Sequence, residues 1–267
     1  MTNFFSGDSG SNNLFSHIGE SPELFQKKDI DGSSLTEQYD NLEQNYERIF
    51  VEAAESIRKS LDEFKPDNPC ETCPKRKDCK VENKDVFGKY PPSGCKYRDW
   101  QLQALTYLAG DYRQRLKAEY KALMDKKENY ECNNCGACCR LAVSEHSHEQ
   151  LRQRASRGDK FSQDFVSVFV PYKSEDEAKK INPEYFDLLN KLVEDDKIYY
   201  YHCPKQKGNL CSIYERRPNI CKQYPHNPLQ LLPSECSFNA WKNEVSHAAM
   251  VLKAKVDIIN FYKEQLQ

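Results

Sequence analysis

Four cysteines fall within the eight residues Cys132-Asn133-Asn134-Cys135-Gly136-Ala137-Cys138-Cys139, in the spacing C-x-x-C-x-x-C-C, and no other stretch constrains this chain so tightly. Thiolates are soft ligands suited to zinc and iron–sulfur clusters. Short C-x-x-C turns let two sulfurs converge on one ion, and Gly136 permits the tight backbone between them. Cystine is the competing use, but the adjacent Cys138 and Cys139 cannot easily bridge each other. The opening residues Met1-Thr2-Asn3-Phe4-Phe5-Ser6-Gly7-Asp8 have neither the basic nor the apolar region of a secretory signal. Clustered thiols without that signal point to metal, and to a cytoplasmic, reducing location.

Composition narrows the partners. Lys plus Arg number 39 and Asp plus Glu 41, a net charge of -2, so the chain has no general field for steering nucleic acid. No run approaches the roughly 18 apolar residues of a membrane span, so neither nucleic acid nor membrane is expected as a partner. The twelve cysteines among 267 residues stand in groups and stay well below the roughly 8–10% of a small disulfide scaffold.

Residues 1–33 are rich in Ser, Gly, Asn and Asp with isolated phenylalanines, and read as a disordered tail. Ser34-Leu35-Thr36-Glu37 then resembles a capping box. Apolar residues recur in steps of three and four at Leu35, Tyr39, Leu42, Tyr46, Ile49, Ala53, Ile57, Leu61 and Phe64, which predicts one long helix ending before Pro66. A second helix is read from Leu102, Leu105, Leu108, Tyr112, Leu116, Tyr120 and Leu123, ending near Asn129. The expectation over 34–129 is an antiparallel helical hairpin. The loop between its helices carries Cys70, Cys73, Cys79 and Cys95, four thiolates that complete a tetrahedral set for a second zinc or cluster. That loop has little apolar surface, so a metal would supply the folding energy that packing cannot.

Beyond the central motif, His148–Arg157 and Asp159–Val170 are each expected to form a short helix, and Asn182-Pro183-Glu184 reads as an N-cap with proline at the first helical position, opening a helix to about Leu192. The β-prone Lys197–His202 leads through Cys203 and Gly208-Asn209 into Cys211-Ser212-Ile213-Tyr214, read as a hairpin. Cys221 and Cys236 follow. From 239 to 267, Trp241, Val245, Ala248, Leu252, Val256, Ile259, Tyr262 and Leu266 form the stripe of a C-terminal helix packing on a bundle. The predicted class is mainly α: a long-helix bundle with a small cysteine-rich α+β metal-binding domain, residues 130–238, containing a short β-hairpin.

The central motif joined by Cys203-Pro204, by Cys211-Ser212-Ile213-Tyr214-Glu215-Arg216-Arg217-Pro218-Asn219-Ile220-Cys221 and by Tyr224-Pro225 resembles the YkgJ-type cysteine-cluster family, whose CxxCxxCC domain is proposed to chelate zinc or iron. The resemblance covers roughly residues 130–236. It implies metal or iron–sulfur binding by Cys132, Cys135, Cys138, Cys139, Cys203, Cys211 and Cys221; Lys222 stands where the pattern often has arginine, and Cys236, read from the chain alone, closes the set. The thiolates exceed what one ion needs. Either two sites exist, or one cluster uses four and the others lie around it. An iron–sulfur cluster is favoured over zinc, held by three of the motif cysteines with one or more of Cys203, Cys211 and Cys221, and with residues 140–202 folding over it.

The histidines and arginines near these cysteines have modest claims. His146 and His148 read as residues of a helix start, and His202 and His226 are the better ligand candidates. Arg216 and Arg217 either stabilise an anionic centre or pair with acids such as Glu215. The role expected is a structural, sensing or carrier metal-binding protein. Two alternatives are a cluster-dependent protein-modifying enzyme, because flagellin lysine N-methylases carry a similar cysteine cluster, and a zinc-stapled interaction module that docks an unidentified protein partner through the long helices or the tail.

Overall fold

A computed structural model describes residues 35–64, 69–80, 86–87, 94–192 and 197–264. The expected tail, residues 1–33, lies outside the described residues. The chain divides into two compact units: Asn45–Asp125 with Ser246–Gln267 belong to one, and Lys126–Val245 to the other.

The first unit is helical. Helix α1 runs Leu35–Phe64 and ends two residues before Pro66, where a missing amide donor forbids continuation. Helix α2 occupies Lys96–Tyr107, a π-turn spans Leu108–Tyr112, and α3 covers Arg113–Asp125. The second helical run thus starts six residues before Leu102, because the polar Cys95-Lys96 start carries no apolar periodicity. The π-turn accounts for the spacing Leu108, Tyr112, Leu116: one residue more in the turn keeps apolar side chains four apart on one face. Ile49, Ala53, Ile57 and Leu61 of α1, Leu105, Leu108, Tyr112 and Leu116, and Leu252, Val256 and Ile259 of the C-terminal helix form one buried core. Phe64 stacks on Tyr107, with ring centroids 3.9 Å apart. Three helical runs therefore bury their stripes together, as the periodicity requires.

The second unit begins with a short 3₁₀ turn, Lys126–Asn129, and holds small helices and strands. Helix α4, Ala137–Arg140, is followed by strand β1, Ala142–Ser144. Helices α5, His148–Ser156, and α6, Lys160–Val168, start as the sequence indicates. Ser147 makes a capping box with Gln150, and the Asp159 side chain accepts from the Ser162 amide. Then come β2, Val170–Pro171; α7, Glu175–Ile181; and α8, Pro183–Leu192, whose Asn182 cap accepts from the Tyr185 amide at 3.0 Å.

Strand β3, Tyr199–His202, corrects the expected hairpin. It lies at the centre of a three-stranded antiparallel sheet, paired to β1 in the register Ala142 to Tyr201 and to β2 in the register Val170 to His202. The hairpin is smaller and later: β4, Gln206–Lys207, pairs with β5, Leu210–Cys211, around Gly208-Asn209. A run as aromatic as Tyr199-Tyr200-Tyr201 gains more from a central position, where Tyr201 is fully buried, than from one edge partner. The strands β1 and β2 are too short to announce themselves in sequence. A short α9, Asn219–Lys222, precedes the C-terminal helix α10, Asn239–Glu264. Along α10 the buried stripe passes through Ala249, and Ala248 is exposed. The 3.6-residue period selects 241, 245, 249, 252, 256 and 259 in its place.

Candidate metal centre

The motif turns on Gly136. It sits at φ +74° immediately before α4, a left-handed conformation that a side chain disfavours. Its space is also taken: a Cβ there would collide with the Gln206 side-chain amide and meet Arg140 Nη1 at 3.0 Å. Gln206 Nε2 donates to the Gly136 carbonyl at 3.3 Å, and Arg140 Nη1 donates to the Cys135 carbonyl at 2.9 Å and to Asn209 Oδ1 at 3.0 Å. The β4–β5 hairpin is thereby clamped to the C-x-x-C-x-x-C-C loop.

Two further ties bring in remote cysteines. The Cys203 amide, one residue past β3, donates to the Cys139 carbonyl at 2.8 Å, so the sheet delivers Cys203 to the motif. On the other side the Asn133 amide donates to Ser237 Oγ at 3.1 Å, Asn133 Nδ2 to the Glu235 carbonyl at 2.7 Å, and Ser237 Oγ to the Glu131 carbonyl at 2.5 Å, which holds Cys236 beside Cys132 and Cys135.

Six of the eight cysteines of this unit fall into two packing neighbourhoods. Cys203 is buried with Leu151, Phe165 and Val168, and Cys139 and Cys221 pack against the same cluster. Cys236 is buried with Leu232 and Phe238, and Cys132, Cys135 and Tyr224 pack against that one. A cavity of about 390 Å³ opens beside the second group, lined by Cys132, Cys135, Cys138 and Cys236 together with Cys221, Tyr224 and Arg217.

Charge is distributed unevenly among these sulfurs. Cys138 donates its thiol proton to Cys139; that bond and burial push Cys138 well up from the ordinary thiol value. Cys139 is brought down to about 7, first by the bond from Cys138, then by the Arg217 and Arg140 guanidiniums and a bond from Cys203, with burial opposing. Burial pushes Cys221 up to about 12, aided by the sulfurs of Cys139, Cys203 and Cys211, and burial likewise raises Cys203 and takes Cys236 to about 11, where Cys236 also donates to Cys135. Of these shifted thiols, Cys139 is the one moved toward the thiolate. Arg217, whose charge favours the Cys139 thiolate, also stacks on Tyr214 at 3.6 Å.

His146 Nε2 lies 2.7 Å from Arg154 Nη1, and the His202 ring packs at 4.7 Å on Tyr172. His226 is held down to about 4 by burial and by Lys127.

In the other unit Cys70, Cys73, Cys79 and Cys95 line one small space of about 20 Å³ with Arg76, Lys96 and Tyr97. The Cys73 amide donates to the Cys70 carbonyl at 3.4 Å and the Arg76 amide to the Cys73 carbonyl at 3.1 Å, a folded knuckle, while Cys95 is the N-cap of α2. All twelve cysteines are free thiols. Among the described residues no three His, Cys, Asp or Glu side chains enclose a metal position. The fit to a metal is one of donor chemistry: clustered sulfur, which suits zinc and iron–sulfur clusters.

Sequence reasoning named all twelve of these cysteines as metal candidates. It missed Arg140, Gln206 and Asn209, the clamp on the motif, since a Gly136 that needs φ > 0 does not reveal which side chains crowd it. Residues 131–245 match the CxxCxxCC family model, described as a proposed zinc- or iron-chelating domain. The chain has no significant match among curated proteins or among solved structures. Among the described residues, no helix is long and apolar enough to cross a membrane.

Proposed function

We propose, with the zinc- or iron-chelating domain over residues 131–245 as the premise, that this unit holds an iron–sulfur cluster on its clustered thiolates, in a structural, sensing or carrier role. The observation that carries the reading is the gathering of cysteines from remote segments, five of which, Cys132, Cys135, Cys138, Cys221 and Cys236, line a cavity of about 390 Å³. A lone zinc needs four ligands and no adjoining space; a cluster has use for both. Such a cluster would supply electron storage or redox sensing. The chain's own part is to bring the sulfurs together and to surround them: Leu151, Phe165, Val168 and Phe169 pack around Cys139, Cys203 and Cys221, an apolar shell from residues 140–202 that limits access of water and oxygen. Arg140 and Arg217 offset the thiolate charge.

The Cys70, Cys73, Cys79 and Cys95 set is proposed as a separate structural zinc or second cluster, supported by the small space that all four line. Anaerobic purification followed by iron, sulfide and zinc analysis with absorption and Mössbauer spectra tests the reading. A brown protein with iron and acid-labile sulfide is expected. A colourless one with stoichiometric zinc, and no iron after reconstitution, would leave a zinc-chelating domain.

A further inference from the structure

We propose that the adjacent Cys138 and Cys139 divide the central cysteines into two four-thiolate metal centres, Cys132, Cys135, Cys138 and Cys236 in one and Cys139, Cys203, Cys211 and Cys221 in the other. The inference rests on the metal-binding reading above and deepens it. The division starts from helix geometry. Consecutive residues of an α-helix project about 100° apart, so the hydrogen-bonded Cys138 and Cys139 sulfurs of α4 meet each other yet have different further neighbours, Cys132 and Cys135 for Cys138 and Cys203 for Cys139.

Packing assigns the partners. Cys132, Cys135 and Cys236 share the apolar cluster of Leu232, Phe238 and Tyr224, whereas Cys139, Cys203 and Cys221 share that of Leu151, Phe165 and Ile220. The two clusters have no cysteine in common. Cys138 lines the cavity with the first three, a cavity that Cys139, Cys203 and Cys211 do not line. Cys211 ends β5, the strand that the hairpin holds antiparallel to Gln206, three residues from Cys203, and its sulfur acts on those of Cys203 and Cys221. Cys221 touches both environments, since it also lines the cavity; its packing with Cys139 and Cys203 decides its place.

Each set thus joins local knuckle cysteines to remote ones, and each remote segment has its own tether: Asn133 to Glu235 and Ser237 for the first, Cys203 to the Cys139 carbonyl for the second. Four sulfurs complete a tetrahedral site, so eight thiolates make two closed sets with none left over.

The test is cysteine alkylation of the full-length chain, read peptide by peptide by mass spectrometry, with zinc ion as the probe. In the native sequence, apo protein titrated with zinc should need two equivalents to protect the eight central cysteines, with Cys70, Cys73, Cys79 and Cys95 scored separately in the same spectra. Cys236→Ser should expose Cys132, Cys135 and Cys138 while Cys139, Cys203, Cys211 and Cys221 stay protected. Cys211→Ser should do the reverse. Protection of all eight by one equivalent, or loss of all protection in either variant while circular dichroism is unchanged, overturns the division in favour of one polynuclear centre. No protection at any zinc concentration removes the metal-binding reading with it. The titration of the native sequence stands even where a variant fails to fold.

Discussion

The Cys203 amide donates to the Cys139 carbonyl at 2.8 Å, joining residues 64 positions apart in sequence. Cys203 follows directly on the central strand of the sheet, so the pairing of β3 with β1 and β2 sets where that sulfur stands. A metal-binding loop tied to a sheet in this way inherits its precision from the sheet.

Gly136→Ala is expected to cost about 1–3 kcal/mol of stability, because a left-handed backbone is strained for alanine and the new methyl displaces the Gln206 amide from the Gly136 carbonyl. Urea unfolding of the variant, alone and combined with Gln206→Ala, measures the two contributions. The double variant should recover the part due to crowding and retain the backbone part. Equal stability of Gly136→Ala and the native protein would show that the turn is not constrained as described.

Metal-free protein should react with iodoacetamide first at Cys139, with a half-maximal rate near pH 7, since Cys139 is brought down to about 7. Cys221, pushed up to about 12, and Cys236, near 11, should remain unreactive until much higher pH. Arg217→Ala removes a positive charge that favours the thiolate, so the Cys139 profile should move to higher pH. Rate–pH profiles by peptide mass spectrometry read this directly, and an unmoved profile would remove Arg217 from the centre.

Cys73→Ser should lower the metal content of the chain without abolishing it. The four cysteines that line the small space near Tyr97 belong to the helical unit, and the central eight belong to the other. Elemental analysis of the purified variant decides: loss of all metal would mean that the two groups load as one.

His226 carries an acid sensitivity. Burial, with the Lys127 cation, holds it down to about 4 from 6.5, and Tyr224 lies edge-on with its ring 6.0 Å away. A histidine kept neutral in the fold stabilises the protein fully above pH 6.5. That contribution is lost as pH falls from 6.5 through about 4, when the unfolded chain takes up the proton first. His226→Gln should therefore lose less stability than the native chain between pH 7 and pH 4.5, the difference being on the order of 1–3 kcal/mol. Urea midpoints of both proteins at the two pH values test it.

Much of the chain was legible without coordinates because it rests on local physics. The end of α1 before Pro66, the cap at Asn182 and the buried stripes follow from backbone sterics and a 3.6-residue period. The donor chemistry was legible too, since sulfur is soft wherever it sits. Two kinds of error had physical origins. The strand Tyr199–His202 was assigned to the wrong partner because a two- or three-residue edge strand carries no periodic signal, and the alanine of the α10 stripe was misplaced by one residue because alanine is tolerated on either face.

By itself, the sequence determined the helical bundle, the positions of the twelve cysteines and the class of ligand they suit. Only the tertiary structure decided which sulfurs keep company. Spacing speaks for Cys132, Cys135, Cys138 and Cys139 as one local group, yet the fold buries Cys139 with Cys203 and Cys221, and sets Cys132 and Cys135 beside Cys236, a neighbour from about a hundred residues later. Sequence patterns report contacts a few residues long. The grouping of thiols depends on a sheet, a hairpin and a set of backbone hydrogen bonds that exist only once remote segments have packed.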